Sequence, residues 1–330
     1  MKDKKTMLHT SPNASAAALV AAFAVLSAAY APAFADTYPS RPVELVVAFQ
    51  PGGGVDTTAR VFAEVARTHF GQPFVVVNKA GASGSIGLNY VASAAPDGYK
   101  VAMVFAELST IPLLGISKVG PDDFQPIAKF ASDPSTIAVR VDAPWKTLEE
   151  FLAHAKANPG KLTVSNAGNG SISHISAAAL GLASGTRFTH IPYQGSAPAV
   201  QALLGGQVDA TTVNYAVLSP FVTGAKVKVL AAMSDKRYPA LDQVPTLKER
   251  GIDLSVDVWR GMAVAKNTPK DVVDALRQVA KTVAQDPKFQ ETLAKQNVTI
   301  AFEDVDQFTR TIARESERFK QVVPQLDVKN

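Results

Sequence analysis

The 330-residue chain contains no cysteine. That excludes disulfides, thiolate metal sites, a cysteine nucleophile and a lipid anchor attached through cysteine. Histidine is sparse. His69, His154, His174 and His190 lie beyond the first 35 residues, and none stands in a His-x-x-x-His pair. The spacing of a zinc site is therefore missing. An excess of charge is missing too. The formal charge is +4, but three lysines and one aspartate fall within the first 35 residues, which leaves +2 on the rest. With no basic run interleaved with aromatics, this near balance argues against nucleic acid or anionic membrane as a partner.

Several catalytic signatures are absent. Gly54 is followed by Val55-Asp56-Thr57 rather than by lysine and a hydroxyl residue, so the phosphate-binding loop of nucleotide hydrolases fails. The dinucleotide fingerprint fails at the same place. Ser83, Ser85, Ser171 and Ser196 each lack a flanking glycine of the Gly-x-Ser-x-Gly elbow. Long hydrophobic runs are also missing, with one exception. Residues 14–30 are apolar and alanine-rich, follow Lys2, Lys4 and Lys5, and lead to Ala33-Phe34-Ala35. This is the pattern of a secretory signal peptide, cleaved after Ala35, rather than of a membrane anchor. It predicts an exported chain of 330 less 35, or 295, residues, long enough for two lobes.

What is present is a repeated device. The apolar run 43–49 enters Gln50-Pro51-Gly52-Gly53-Gly54, and an amphipathic run over 57–70 leaves it. Strand, glycine turn and helix start together form a place where a ligand can reach bare main chain and unpaired N–H groups. Such a place binds anions without a charged side chain. Asp56 is expected to cap the helix. A second strand over 74–78 leads to the glycine turn 80–85, which carries Ser83, and a third over 100–105 leads to Glu107. Strand 162–166 leads to Ala167-Gly168-Asn169-Gly170-Ser171 and a helix over 172–183, with His174 one turn inside it. Strand 189–192 turns through Tyr193, and Asn214 follows a strand over 208–213. Near-continuous apolar strands alternating with helices predict parallel sheets, whose ligands bind at the carboxyl ends of the strands. Ile137–Pro144 and Met262–Pro269 are similar strand–proline–helix units, read as the two places where the chain crosses between lobes.

Eleven short motifs then occur in order. They include Tyr38-Pro39-Ser40-Arg41-Pro42, Pro51-Gly52-Gly53-Gly54-x-Asp56-x-x-Ala59-Arg60 and Asn78-x-x-Gly81-Ala82-x-Gly84-x-Ile86-Gly87. Pro96-Asp97-Gly98-Tyr99, Asp123-Phe124-x-Pro126-Ile127 and Ala155-Lys156-Ala157-Asn158-Pro159-Gly160 follow. Ala167-Gly168-Asn169-Gly170-Ser171-x-Ser173-His174, Pro192-Tyr193-x-Gly195-Ser196-Ala197-Pro198, Leu203-Leu204-Gly205-Gly206-Gln207-Val208-Asp209, Val244-Pro245-Thr246 and Trp259-x-Gly261 complete the set. The set spans essentially the whole exported chain and resembles the Bug family, periplasmic solute-binding receptors of tripartite tricarboxylate transporters.

The resemblance implies an α/β, type II periplasmic-binding-protein fold, with two α/β lobes around a ligand cleft joined by two crossover strands. Residues 36–137 and 262–330 are expected to form the first lobe and 138–261 the second. It implies a small carboxylate ligand, membrane transporter subunits as partners, a monomer in the periplasm, and neither cofactor, metal nor catalytic residue. Phe49, Pro51, Gly52, Gly53, Gly54 and Asp56 are the positions carried over for the ligand carboxylate. Gly168, Ser171 and His174 come from the second lobe, and Ser83, Glu107, Tyr193 and Asn214 complete the expected set. Glu107 departs from the small hydroxyl residues common in the family. At an anion site it is expected either to meet a positive group on the ligand or to be solvated or paired with a lysine or arginine. A sensing role beside a membrane kinase and an exported enzyme on the same fold are the competing readings.

Overall fold

The structure, a computed structural model, describes residues 38–296 and 298–325. The leader over residues 1–35 lies outside them.

The first third of the described chain alternates strand and helix. β1 (Val43–Val47) runs into α1 (Gly54–Ala66), β2 (Phe74–Asn78) into α2 (Ser85–Ala92), and β3 (Lys100–Phe105) into a short 3-10 turn, Ala106–Ser109. β1 lies between β2 and β3 and is parallel to both. Val43, Leu45 and Val47 are buried in one cluster with Phe62, Val65 and Ala66 of α1, while Val46 joins a second cluster with Leu88 and Val91 of α2. The sheet is thus covered on both faces, which is why its strands read as continuous apolar runs rather than as alternation.

β4 (Phe124–Arg140) is 17 residues long and holds the fold together. Residues 124–134 pair antiparallel with β9 (Asp257–Ala265), and residues 135–140 with β8 (Val227–Met233). Only its last part is legible as a strand in the sequence, because Pro126 and Pro134 lie within it. The ladder shifts register between Pro126 and Ala128, and again between Lys129 and Ala131; irregularity of this kind is where a strand tolerates proline. Beyond it come α3 (Leu148–Ala157), β5 (Thr163–Asn166), α4 (Ile172–Ser184), β6 (Thr189–Pro192), α5 (Ser196–Leu204), β7 (Ala210–Thr211) and α6 (Tyr215–Thr223), with β8 closing this half. β5 lies parallel between β6 and β7. The main path of the ten-stranded sheet is β2-β1-β3-β9-β4-β7-β5-β6, with β8 and a tenth strand, Ile300–Glu303, each pairing β4 off that path, in one curled mixed sheet with helices packed on it.

After β9 the chain forms α7 (Lys270–Gln285), α8 (Pro287–Lys295), β10 (Ile300–Glu303) and α9 (Val305–Val322). α7 buries Val272, Val273, Leu276, Val279, Ala280 and Val283, one face at helical spacing. Asp286 caps α8 ahead of Pro287, and Asp304 with Gln307 forms a capping box on α9. α8 and β10 are short and were not legible from periodicity alone.

One buried contact from α9 makes the fold sensitive to pH. Trp259 of β9 is fully buried and donates its Nε1–H to Oε2 of Glu315. Burial lifts the Glu315 carboxyl from an ordinary 4.5 to about 8; the Trp259 hydrogen bond pulls it down and Asp257 nearby pushes it up. A carboxyl with a raised folded-state pKa contributes stability that is complete below its unfolded value and is lost as pH climbs through the folded one. Glu315→Gln keeps an acceptor for Trp259 and removes that loss. The variant is expected to match the wild type near pH 4.5 and to exceed it at pH 8 by at most about 4 kcal/mol, given about 1.4 kcal/mol per pKa unit over the rise from 4.5 to about 8. Urea unfolding at the two pH values checks this, and parallel curves for the two proteins would refute it.

Candidate functional site

All three parallel strands of the first half end on the same edge. Their exits are residues 49–54 after β1, 79–84 after β2 and 106–109 after β3. The exits of β5, β6 and β7 likewise share an edge, at residues 167–171, 193–195 and 212–214. Every expected site residue lies at one of these two edges or in the first helical turn beyond it.

The first edge is built around α1. Gly53 takes the N-cap position, with extended backbone and no side-chain cap. The helix therefore begins three residues before the amphipathic run suggests, which corrects the expectation that Asp56 caps it. Asp56 sits in the first turn and is buried, its carboxylate folded back. Oδ2 accepts from the Gly52 N–H at 2.9 Å and from Arg60 Nε at 2.9 Å, while Oδ1 accepts from Arg60 Nη2 at 3.0 Å and from Asn78 Nδ2 at 2.8 Å. Burial pushes this carboxyl up, but the bonds from Arg60, Gly52 and Asn78 outweigh it and hold it below the usual range. Asn78 also donates to the Phe49 carbonyl at 3.0 Å. Asp56, Arg60 and Asn78 thus shape the loop from behind, and the exposed residues 50–54 form its front. The helix start leaves its leading N–H groups without intrahelical acceptors, at the positive end of the dipole. A Cβ on Gly53 would meet only the Gln50 carbonyl oxygen, at 4.0 Å, so the space before it is open.

The second exit lies alongside. Residues 81–84 all have positive φ, including Ala82 at 46° and Ser83 at 53°. Two neighbouring non-glycine residues in the left-handed region cost on the order of 1 kcal/mol or more each, a strain that collects at ligand sites. Ser83 is half-buried. A Cβ on Gly84 would fall 2.3 Å from the ring of Phe105, and that ring packs against Phe49 at 4.5 Å between centroids. Phe105 therefore wedges the first two loops together.

At the second edge, Ser171 caps α4 by accepting from the His174 N–H at 3.3 Å. Gly168 donates its N–H to Oδ1 of Asn166 at 2.9 Å, and Tyr193 donates its N–H to the Asn166 carbonyl at 3.0 Å. His174 is 3% exposed and lies beneath the loop, where Nδ1 accepts from the Gly170 N–H at 3.2 Å. Burial lowers its pKa to about 4, with His190 adding to the effect, so the ring is uncharged near neutrality. Asn214 caps α6 through its backbone only, and its buried Nδ2 has no partner.

The two edges meet. Oε1 of half-buried Glu107 accepts from the N–H of Ile172, the first residue of α4, at 3.2 Å. Glu107 is thus paired with a helix start rather than solvated. Burial raises its carboxyl above the usual range, and its own backbone N–H, the Ile172 N–H and the charge of Arg260 offset that only in part.

Arg260 is the residue that sequence reading missed. It lies on β9 opposite Phe105, is 4% exposed, and donates from Nη1 to Oδ2 of Asp133 at 2.7 Å. A Cβ on Gly54 would lie 2.8 Å from its Nη2. The guanidinium therefore rests against the first residue of α1. An arginine inside the apolar run 258–265, between Trp259 and Gly261, was the available signal. A cavity of about 240 Å³ lined by Tyr215, Ala240, Ala294, Val298, Thr299 and Ile300 includes none of the expected site residues.

Two parallel strand sets joined through long antiparallel strands, with glycine loops at edges that touch, define a solute-binding protein of the periplasmic type. A TctC solute-binding protein from Polaromonas, solved without ligand, superposes with a TM-score of 0.77 at 43% identity, over 88% of this chain and all of that one. MatC from Rhodopseudomonas palustris, solved with bound malate, gives 0.75 at 30% identity, over 87% of this chain and all of that one. BugT of Bordetella pertussis is 31% identical over 94% of this chain and 97% of its own. Residues 58–328 match the TctC model, described as the tripartite tricarboxylate transporter family receptor. The chain belongs to that family, and its relatives are receptors.

Proposed function

We propose that this chain is an exported receptor that holds a small organic carboxylate against residues 50–54 and delivers it to the membrane subunits of a tripartite tricarboxylate-type transporter. The observation that carries the reading is the start of α1. Its free N–H groups and dipole meet an exposed glycine loop, and Gly53 leaves room for main-chain approach. Residues 36–137 with 262–330 act as one lobe and 138–261 as the other. The ligand bridges them and shifts the population toward the closed state that the transporter recognises. The family match and the malate bound to MatC support the ligand class. Among the described residues no helix is long and apolar enough to cross a membrane, and the leader read from the sequence supports export.

A thermal-shift screen tests the ligand class. A carboxylate at about 100 times its Kd is expected to add roughly 2.7 kcal/mol of stability, visible as a higher Tm. A neutral sugar raising the Tm where no carboxylate does would overturn the reading.

A further inference from the structure

We propose that Glu107 is a built-in carboxylate that fills the anion position of the second edge, so that the ligand is a monocarboxylate whose far end carries no negative charge. The inference rests on the carboxylate-receptor reading above and narrows its ligand class.

The geometry at α4 carries it. Two of the leading N–H groups of this 13-residue helix are already used: that of Ile172 by Glu107 Oε1, at 3.2 Å, and that of His174 by Ser171 Oγ, at 3.3 Å. Glu107 is held there by the segment that follows it. Its carbonyl accepts from the N–H groups of Thr110 and Ile111, each at 2.9 Å. Leu114 and Ile116, further along the same segment, pack on the second glycine turn, where a Cβ on Gly170 would lie 3.0 Å and 3.2 Å from their Cδ1 atoms. A ligand carboxylate could reach the Ile172 N–H only by displacing a carboxylate tied into the protein. If it lay beside Glu107 instead, two carboxyl groups would share one poorly solvated site, where burial already disfavours the charge on Glu107.

The opposite edge offers what the second lacks. The Nε–H of Arg260 has no partner, although the side chain is 4% exposed and lies against Gly54. A buried donor left unpaired destabilises the fold, and an incoming carboxylate removes that cost. One unpaired guanidinium donor beside one free helix start suits one carboxylate. The ligand's far end then faces Glu107, which accepts a hydroxyl or amine donor.

Isothermal titration with length-matched probes tests this. Succinate is set against 4-hydroxybutanoate and 4-aminobutanoate, adipate against 6-hydroxyhexanoate and 6-aminohexanoate, and terephthalate against 4-hydroxybenzoate and 4-aminobenzoate. The wild type is expected to prefer a monocarboxylate over its dicarboxylate counterpart by at least tenfold. Glu107→Ser, which vacates the α4 start, is expected to reverse that preference. Glu107→Gln, which still fills it, is expected to keep dicarboxylates out. A wild type that binds a dicarboxylate as tightly as its partners overturns the proposal and leaves the receptor reading standing, and this comparison needs no variant to fold. An unchanged ratio in a folded Glu107→Ser protein overturns it equally. If none of the acids binds any of the proteins, the carboxylate reading itself falls and takes this inference with it.

Discussion

Gly53→Val is expected to weaken carboxylate binding by at least about a hundredfold, worth about 2.8 kcal/mol, while the protein stays folded. Gly53 has φ −79° and ψ 168°, an extended conformation that valine adopts freely. Its Cβ would meet nothing closer than the Gln50 carbonyl oxygen, at 4.0 Å. The Thr57 N–H to Gly53 carbonyl bond, at 2.9 Å, survives the change. The only structural loss is the N-cap preference for glycine over a β-branched residue, about 1 kcal/mol or less. Binding is another matter. The two γ-carbons of valine stand in the space through which the proposed carboxylate would reach the first N–H groups of α1. Calorimetric titration together with a thermal melt separates the two effects. A folded variant that keeps wild-type affinity would remove this loop from the site.

Asp133→Ala is expected to cost the fold about 3–5 kcal/mol. Asp133 has no solvent exposure and lies where β4 passes from its pairing with β9 to its pairing with β8. Oδ2 accepts from Arg260 Nη1 at 2.7 Å. Oδ1 accepts from the Tyr238 hydroxyl at 2.9 Å and from the Thr299 N–H at 3.1 Å. The three donors come from β9, from the chain after β8 and from the approach to β10, so one carboxylate joins both halves of the sheet. Removing it leaves a buried guanidinium without its counter-charge and two further donors unpaired. Asp133→Asn keeps an acceptor oxygen and the shape but loses the charge, and is expected to cost about half as much. The urea midpoint of each variant reads the result. A shift corresponding to less than about 1 kcal/mol for Asp133→Ala would mean that Arg260 is stabilised by other means.

These residues also mark what the sequence could disclose. The glycine loop over 50–54 was legible because its chemistry is local: an apolar strand, bare backbone and a helix start follow each other within a few residues. The loop after β5 was legible for the same reason, and so was the parallel character of both strand sets. Asp56 was misplaced because helix periodicity begins with side chains, and α1 begins at glycines that have none. Asp133 went unread because Pro126 and Pro134 hide the first part of β4, and a strand interrupted in this way shows no alternation. Arg260 and Glu107 could be read as charges but not as a pair of opposed edges. Their meaning depends on Asp133, 127 residues from Arg260, and on Ile172, 65 residues from Glu107. Such contacts arise from topology, and no spacing in the chain announces them.

The central claim is that main-chain donors at the start of α1 hold a carboxylate. It is tested most directly by running the thermal-shift measurement with the tightest-binding acid and with its own primary amide. The two differ in charge and hardly in shape. The acid is expected to raise the Tm of the wild type and the amide to leave it unchanged, because the helix start and Arg260 act on the negative charge. An amide that raises the Tm as far as the acid would contradict the account.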